Sequence, residues 1–216
     1  MSAINWAIEF SQIISCTRCT TVTCNKLLRD DQENVPQPGF IGDRFPEKQI
    51  LLAGQNPGIA TAKTARDDQE YTAFLRAVRD GASAATFGEL QTVLRRFVPT
   101  WPVCRSYFPF EEAGLTLDEV AYCNVVRCRT HHNAPPSKLM VSECTENHFS
   151  RWLDILRPRA VVFIGKLARD RGARFARDRQ IPFDFMNRER SLPSEARVEN
   201  RNRVVAFVKA SAAYER

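Results

Sequence analysis

Residues 49–58 read QILLAGQNPG, and how this stretch is read decides the fold. Gln49 to Gly54 is a short apolar run closed by glycine, and Asn56-Pro57-Gly58 follows it at once. An aliphatic run of that length, ended by turn residues, reads as a buried strand feeding a tight turn. Three later runs have the same character: Val120 to Val126 (VAYCNVV), Arg159 to Gly165 (RAVVFIG) and Val204 to Val208 (VVAFV). Between them, residues 68–80, 86–97 and 142–156 repeat apolar positions at helical spacing, with Ser142 placed to cap the last, and another helix follows Gly165. Residues 4–14 also read as a helix, whereas Cys16 to Cys24 and Val35 to Gly42 read as loops. Strands alternating with helices predict an α/β fold: one domain over residues 1–216, a three-layer α/β/α sandwich with a central, mostly parallel four-stranded sheet. Ligands of such sheets sit beyond the carboxyl ends of the strands.

The 216 residues are 44% apolar, enough for a full core. No run of eighteen apolar residues occurs, and Glu9 interrupts the apolar stretch near the N-terminus, which points to a cytoplasmic monomer with no membrane partner. Seven cysteines, unevenly clustered, argue against a disulfide framework, so metal binding or core packing must explain them. A net charge of +6 favours a polyanionic partner. Arg171, Arg174 and Arg177 recur at helical spacing where they could meet phosphates, although a solvated face laced with Asp170 and Asp178 explains them as well.

The chemistry-bearing residues gather at the strand ends. Asn56 is the central side chain of a Gly/Pro-bounded turn, either poised over the crevice or simply part of an Asn-Pro turn. Asn124 ends the second strand close to Arg127 and Arg129, and a buried amide there is satisfied by the protein or by a ligand. Cys16 and Cys19 form a C-x2-C pair, and Cys128 and Cys144 are separated by fifteen residues. Four thiolates could close one site, but spacing does not separate zinc from a cubane cluster. Cys24, Cys104 and Cys123 read as small buried hydrophobes. His131, His132 and His148 receive no catalytic role, with solvated surface the plain alternative for the first two.

Taken together, the C-x2-C pair, GQNPG, NVVRCR (residues 124–129), the cysteine fifteen residues on and PRAVVFIGKLA resemble the iron–sulfur uracil-DNA glycosylases from Cys16 to the C-terminus. The resemblance implies a 4Fe-4S cluster on Cys16, Cys19, Cys128 and Cys144. It implies that Asn56 holds the attacking water, where uracil-restricted members carry Asp and mismatch-specific relatives Asn. Asn124 would read the edge of a flipped base, with Gln55 and Gly58 lining its pocket and Tyr71, then Phe74, as stacking candidates. Arg127, Arg129, His131, His132 and Ser211 would contact single- or double-stranded DNA.

Two departures from the family pattern bear on the substrate. Gly58 stands where uracil-restricted members have a bulky tyrosine, so a larger base would fit. The usual His-Pro-Ser motif does not follow VVAFV; Lys209-Ala210-Ser211 stands there, and Lys209 would then stabilise charge on the leaving base. Leu192-Pro193-Ser194 competes for that role, but no convincing strand precedes it. The implied activity is excision of uracil or a 5-substituted pyrimidine from DNA, leaving an abasic site for base excision repair. Alternatives are a defence glycosylase acting on modified pyrimidines of foreign (phage) DNA, and a catalytically silent iron–sulfur DNA-binding protein. The arginine excess and the two strand-end asparagines argue against a purely redox protein.

Overall fold

The QILLAG run is the second strand of a five-stranded sheet in the computed structural model, which describes residues 6–19, 26–28, 34–59, 65–80, 87–187 and 192–213. In chain order the elements are α1 (Trp6–Ile14), β1 (Phe40–Ile41), α2 (Phe45–Lys48), β2 (Ile50–Gly54), α3 (Ala65–Arg79), α4 (Phe87–Phe97), α5 (Phe110–Ala113) and β3 (Val120–Asn124). Then follow α6 (Lys138–Cys144), α7 (Ser150–Leu156), β4 (Ala160–Ile164), α8 (Lys166–Asp178), β5 (Phe183–Met186) and α9 (Ser194–Ala212). The sheet order is β1-β3-β2-β4-β5; β3, β2, β4 and β5 run parallel, and the two-residue β1 pairs antiparallel with β3 at the edge.

Every residue of β2, β3 and β4 is buried, as expected of parallel strands covered on both faces. Register and the alternation of side chains sort the two faces. Leu52, Tyr122, Val162 and Asp184 lie in one row across the sheet. On their face Tyr122 meets Trp101, with ring centroids 5.5 Å apart, and Asp184 pairs with Arg203 of α9. Phe163 points the other way, where Gly172 of α8 has no room for even a Cβ beside its ring and Phe149 lies 6.0 Å from it, centroid to centroid. The helices therefore form two layers about the sheet.

Three expectations are corrected. VVAFV is not a strand: it lies inside α9, where Val204 and Val208, one helical turn apart, are the buried positions and the residues between them face outward in part. A five-residue apolar run carries no periodicity long enough to tell strand from helix. The fourth parallel strand is Phe183–Met186, and the loop predicted for Val35 to Gly42 contains β1. Finally, Ser137, not Ser142, caps the helix before β4: its hydroxyl accepts from the Met140 N–H at 3.3 Å, and Ser142 lies within α6. That helix is continuous from α6 into α7 through a widened π turn over Thr145–Phe149.

Candidate active site

β2 and β4 are the neighbours from which the chain departs in opposite directions, towards β3 and towards β5, so the crevice at the topological switch opens beside the carboxyl end of β2. Gly54 ends β2 level with Asn124 at the end of β3. The ladder continues past both ends, with Val125 N–H donating to Gly54 O at 2.8 Å and Val126 N–H to Gln55 O at 2.9 Å. These bonds hold the two loops side by side. Gly54 is required by close approach: a Cβ there would collide with Asn124 Oδ1 and come within 2.8 Å of the Tyr122 hydroxyl.

Asn124, 6% exposed, has Oδ1 bonded by the Tyr122 hydroxyl at 3.0 Å. Tyr122 is in turn propped by Trp101, which packs on Tyr71 at 5.8 Å between centroids. Asn56, two residues past β2, donates from Nδ2 to Pro57 O at 3.1 Å and to Thr130 Oγ1 at 3.3 Å. Thr130 is buried and gives its own proton to Ala134 O at 2.6 Å. Asn133, at φ +55°, accepts the Ile59 N–H at 2.7 Å and ties the loop after Asn56 to the loop after β3. Both amides are therefore oriented by protein groups, while Asn56 Oδ1 and Asn124 Nδ2 have no hydrogen-bond partner among the described residues. Thr130 and Asn133 escaped sequence reasoning; the one signal was a polar Thr130-to-Asn133 run directly after the NVVRCR segment.

Gly58 is exposed, and a Cβ built on it would meet only Asn133 Oδ1, at 3.6 Å, an ordinary contact that leaves the space beside Gly58 open. Gln55 is half-buried. Tyr71 is fully enclosed between Phe97 and Trp101, so its ring has no open face for a flipped base, and burial pushes its hydroxyl's pKa up. Phe74 is partly buried against the core.

The arginines beside Asn124 are turned inward, contrary to the expectation that they touch DNA. Arg127 is 1% and Arg129 3% exposed. The Arg129 guanidinium pairs with Asp68 and reaches Thr72 Oγ1 at 3.5 Å, and its backbone N–H is held by Asn34 Oδ1 at 2.9 Å. Burial raises the Asp68 pKa and Arg129 opposes that shift. His131 and His132 do lie on the exposed rim of the same loop.

Lys209 and Ser211 are also placed away from the crevice. Asn200 of α9 receives the Asn187 N–H just past β5, while Arg203, further along α9, reaches back to Asp184 and the Phe185 carbonyl inside the strand. α9 thus runs antiparallel to β5, and Lys209 lies fifteen residues from Ser194, roughly 22 Å at 1.5 Å per residue, towards the opposite edge of the sheet. Lys209 is exposed there, and the Ser211 hydroxyl is spent on Phe207 O at 2.9 Å. Leu192 and Pro193, by contrast, do come between the last strand and the last helix, and Ser194 opens α9. Residues 188–191 lie outside the described residues.

Behind β3, a cavity of about 400 Å³ is lined by all four of Cys16, Cys19, Cys128 and Cys144, together with Arg127 and His148. Its walls come from six separate stretches: the end of α1 with residues 16–19, Leu27, residues 34–36, Arg79 and Asp80 at the end of α3, the loop after β3, and the helix from α6 through the π turn. The Cys19 thiol donates to Cys144, which raises the pKa of Cys19 and lowers that of Cys144, and the Arg127 backbone N–H lies 3.5 Å from Cys144 Sγ. Among the described residues no three ligating side chains stand close enough to hold one ion; the thiols surround a larger space. Cys123 is buried and Cys104 half-buried outside this cavity, as expected of core thiols, and Cys24 falls outside the described residues. Burial and the neighbouring Arg127 depress the His148 pKa to about 4.

An open, mostly parallel sheet with two braced amides over the ends of its central strands defines an α/β protein with a polar site at the switch point. Residues 42–211 match the model of the Uracil DNA glycosylase superfamily, and the chain belongs to that superfamily. It is also 26% identical over 155 residues to a type-4 uracil-DNA glycosylase of Sulfurisphaera tokodaii, covering 72% of this chain and 52% of that protein, so it spans about half the length of that relative. No helix among the described residues is long and apolar enough to cross a membrane.

Proposed function

We propose that this chain is a DNA N-glycosylase that hydrolyses the bond between deoxyribose and a flipped pyrimidine, uracil or a 5-substituted relative, leaving an abasic site. One observation carries the reading: Asn56, two residues past β2, and Asn124, at the end of the neighbouring β3, are each braced by a hydroxyl, each with one polar atom of the amide left for a ligand. Asn56 Oδ1 accepts a hydrogen bond from a water and leaves the water's lone pair free. As the C1′–N1 bond breaks, its electron pair goes to the base, the water oxygen bonds to the electrophilic C1′, and the water's surplus proton passes to solvent. An amide is no strong base, which suffices when the bond breaks dissociatively and water needs orientation more than deprotonation. Asn124 Nδ2 donates to a carbonyl oxygen of the base, an interaction that strengthens as negative charge grows there.

Belonging to the superfamily makes DNA the expected substrate, and the net charge of +6 suits it. The four cysteines suit a 4Fe-4S cluster, because all four line one cavity of about 400 Å³. The cluster would chiefly cross-link the six stretches of chain that wall the cavity. The open space beside Gly58 favours a base bulkier than uracil and keeps a defence role against modified foreign DNA within the same chemistry. The test is release of free base from oligonucleotides carrying uracil, 5-substituted uracils or 5-substituted cytosines, using anaerobically purified protein and Asn56→Ala beside it. Release by the wild type and its loss in the variant supports the glycosylase. DNA binding with no release from any substrate would overturn it in favour of a silent DNA-binding protein.

A further inference from the structure

Among the described residues, one buried cation in the wall of the cysteine cavity has no anionic partner. Arg127 is 1% exposed and lines the cavity. Its Nη1 donates to Pro38 O at 2.8 Å, and its guanidinium lies beside the Cys123 thiol and 4.7 Å from the centroid of the Trp152 ring, yet Nε and Nη2 are buried with no hydrogen-bond partner of good geometry among the described residues. His148 on the cavity wall likewise has a buried Nε2 without a partner among the described residues. The other charged groups there have opposite neighbours: Arg79 pairs with Asp80 at 2.8 Å, and Glu143, beside Cys144, faces Arg18 at 4.0 Å. A buried guanidinium with two idle donors is strongly unfavourable unless something anionic and rich in acceptors occupies the cavity.

A 4Fe-4S cluster bound by four thiolates is such an occupant, since it carries net negative charge and presents many sulfur acceptors. We infer that Arg127 is the internal counter-charge of that cluster and donates from Nε and Nη2 to its sulfurs, a role that rests on the cluster reading above. A cation held beside the cluster favours the reduced state and so raises the reduction potential. The same cation burdens the iron-free protein, in which it faces an empty cavity.

The experiment compares wild type, Arg127→Met and Arg127→Lys, purified anaerobically, by iron and sulfide content, midpoint potential, and melting temperature with and without iron. Arg127→Met is expected to shift the midpoint to more negative potential and to lose iron faster in air, and its iron-free form is expected to melt above iron-free wild type. Arg127→Lys, which keeps the charge without the planar fork, recovers most of the potential. Wild type without iron or sulfide overturns the cluster reading and this role with it. A loaded Arg127→Met protein with unchanged midpoint overturns this role alone, and so does an iron-free Arg127→Met protein that melts below iron-free wild type or fails to fold.

Discussion

The two polar regions flanking β3 are built on opposite principles. At the strand ends, Asn56 and Asn124 are held by Thr130 and Tyr122, so the site is organised before any ligand arrives. In the cysteine cavity, a few residues along the same loop, Arg127 and His148 keep buried polar atoms unpaired among the described residues. On the function proposed above, the first region is complete as protein and offers its remaining polar atoms to a passing substrate. The second, on the same reading, is complete only with a resident cluster. A preorganised site avoids the cost of reorganisation at the moment of reaction, whereas a cavity lined by unpaired donors gives its stability over to whatever fills it.

The sharpest way to break this contrast is to damage one region and read both. Asn56→Ala should lower single-turnover base release by about 100- to 1000-fold, the loss typical when one preorganised polar group is removed, with melting temperature and iron content unchanged. An equal loss of iron would show that the two regions are not separable. Cys128→Ala should do the reverse, losing iron and several kcal/mol of stability because the six stretches around the cavity come apart; retention of the wild-type melting temperature with activity alone lost would contradict a structural role for the cluster. Gly58→Tyr should fill the open space and cut release of 5-substituted bases relative to uracil by about tenfold or more, measured as a ratio of kcat/KM values. Thr130→Val removes the acceptor that steadies Asn56 and should slow release by roughly fivefold, about 1 kcal/mol, with little change in substrate affinity. Smallest of all, Lys209→Ala should leave release within about twofold of wild type, because its position on α9 is at the far edge of the sheet; a large loss would return the leaving-base role to that lysine.

Where sequence reasoning succeeded and failed follows the range of the forces involved. β2, β3 and β4 were legible because strands buried on both faces must be apolar throughout, and Gly54, Asn56, Pro57 and Gly58 punctuate the first of them unmistakably. The placement of Asn56 and Asn124 at strand ends followed from those boundaries. The reading of VVAFV failed because its five residues suit a strand as well as a helix, and the choice was made by α9 packing Val204 and Val208 against the sheet. That error carried Lys209 and Ser211 into a site that they do not reach. Arg127 and Arg129 were expected to contact DNA on the strength of the family resemblance. Their burial depends on Pro38, Trp152, Asp68 and Thr72, partners distant in the chain that no local pattern announces.

By itself, then, the amino-acid sequence determined the parallel core, the amides at its carboxyl ends and the set of cysteines, because strand burial, turn chemistry and ligand spacing are written over a few neighbouring residues. Only the tertiary structure decided which strand comes last, which arginines face inward, which hydroxyls orient the amides, and that four cysteines from two widely separated parts of the chain share one cavity. Those outcomes depend on contacts between segments tens of residues apart, where the packing of the whole chain outweighs the preference of any one segment.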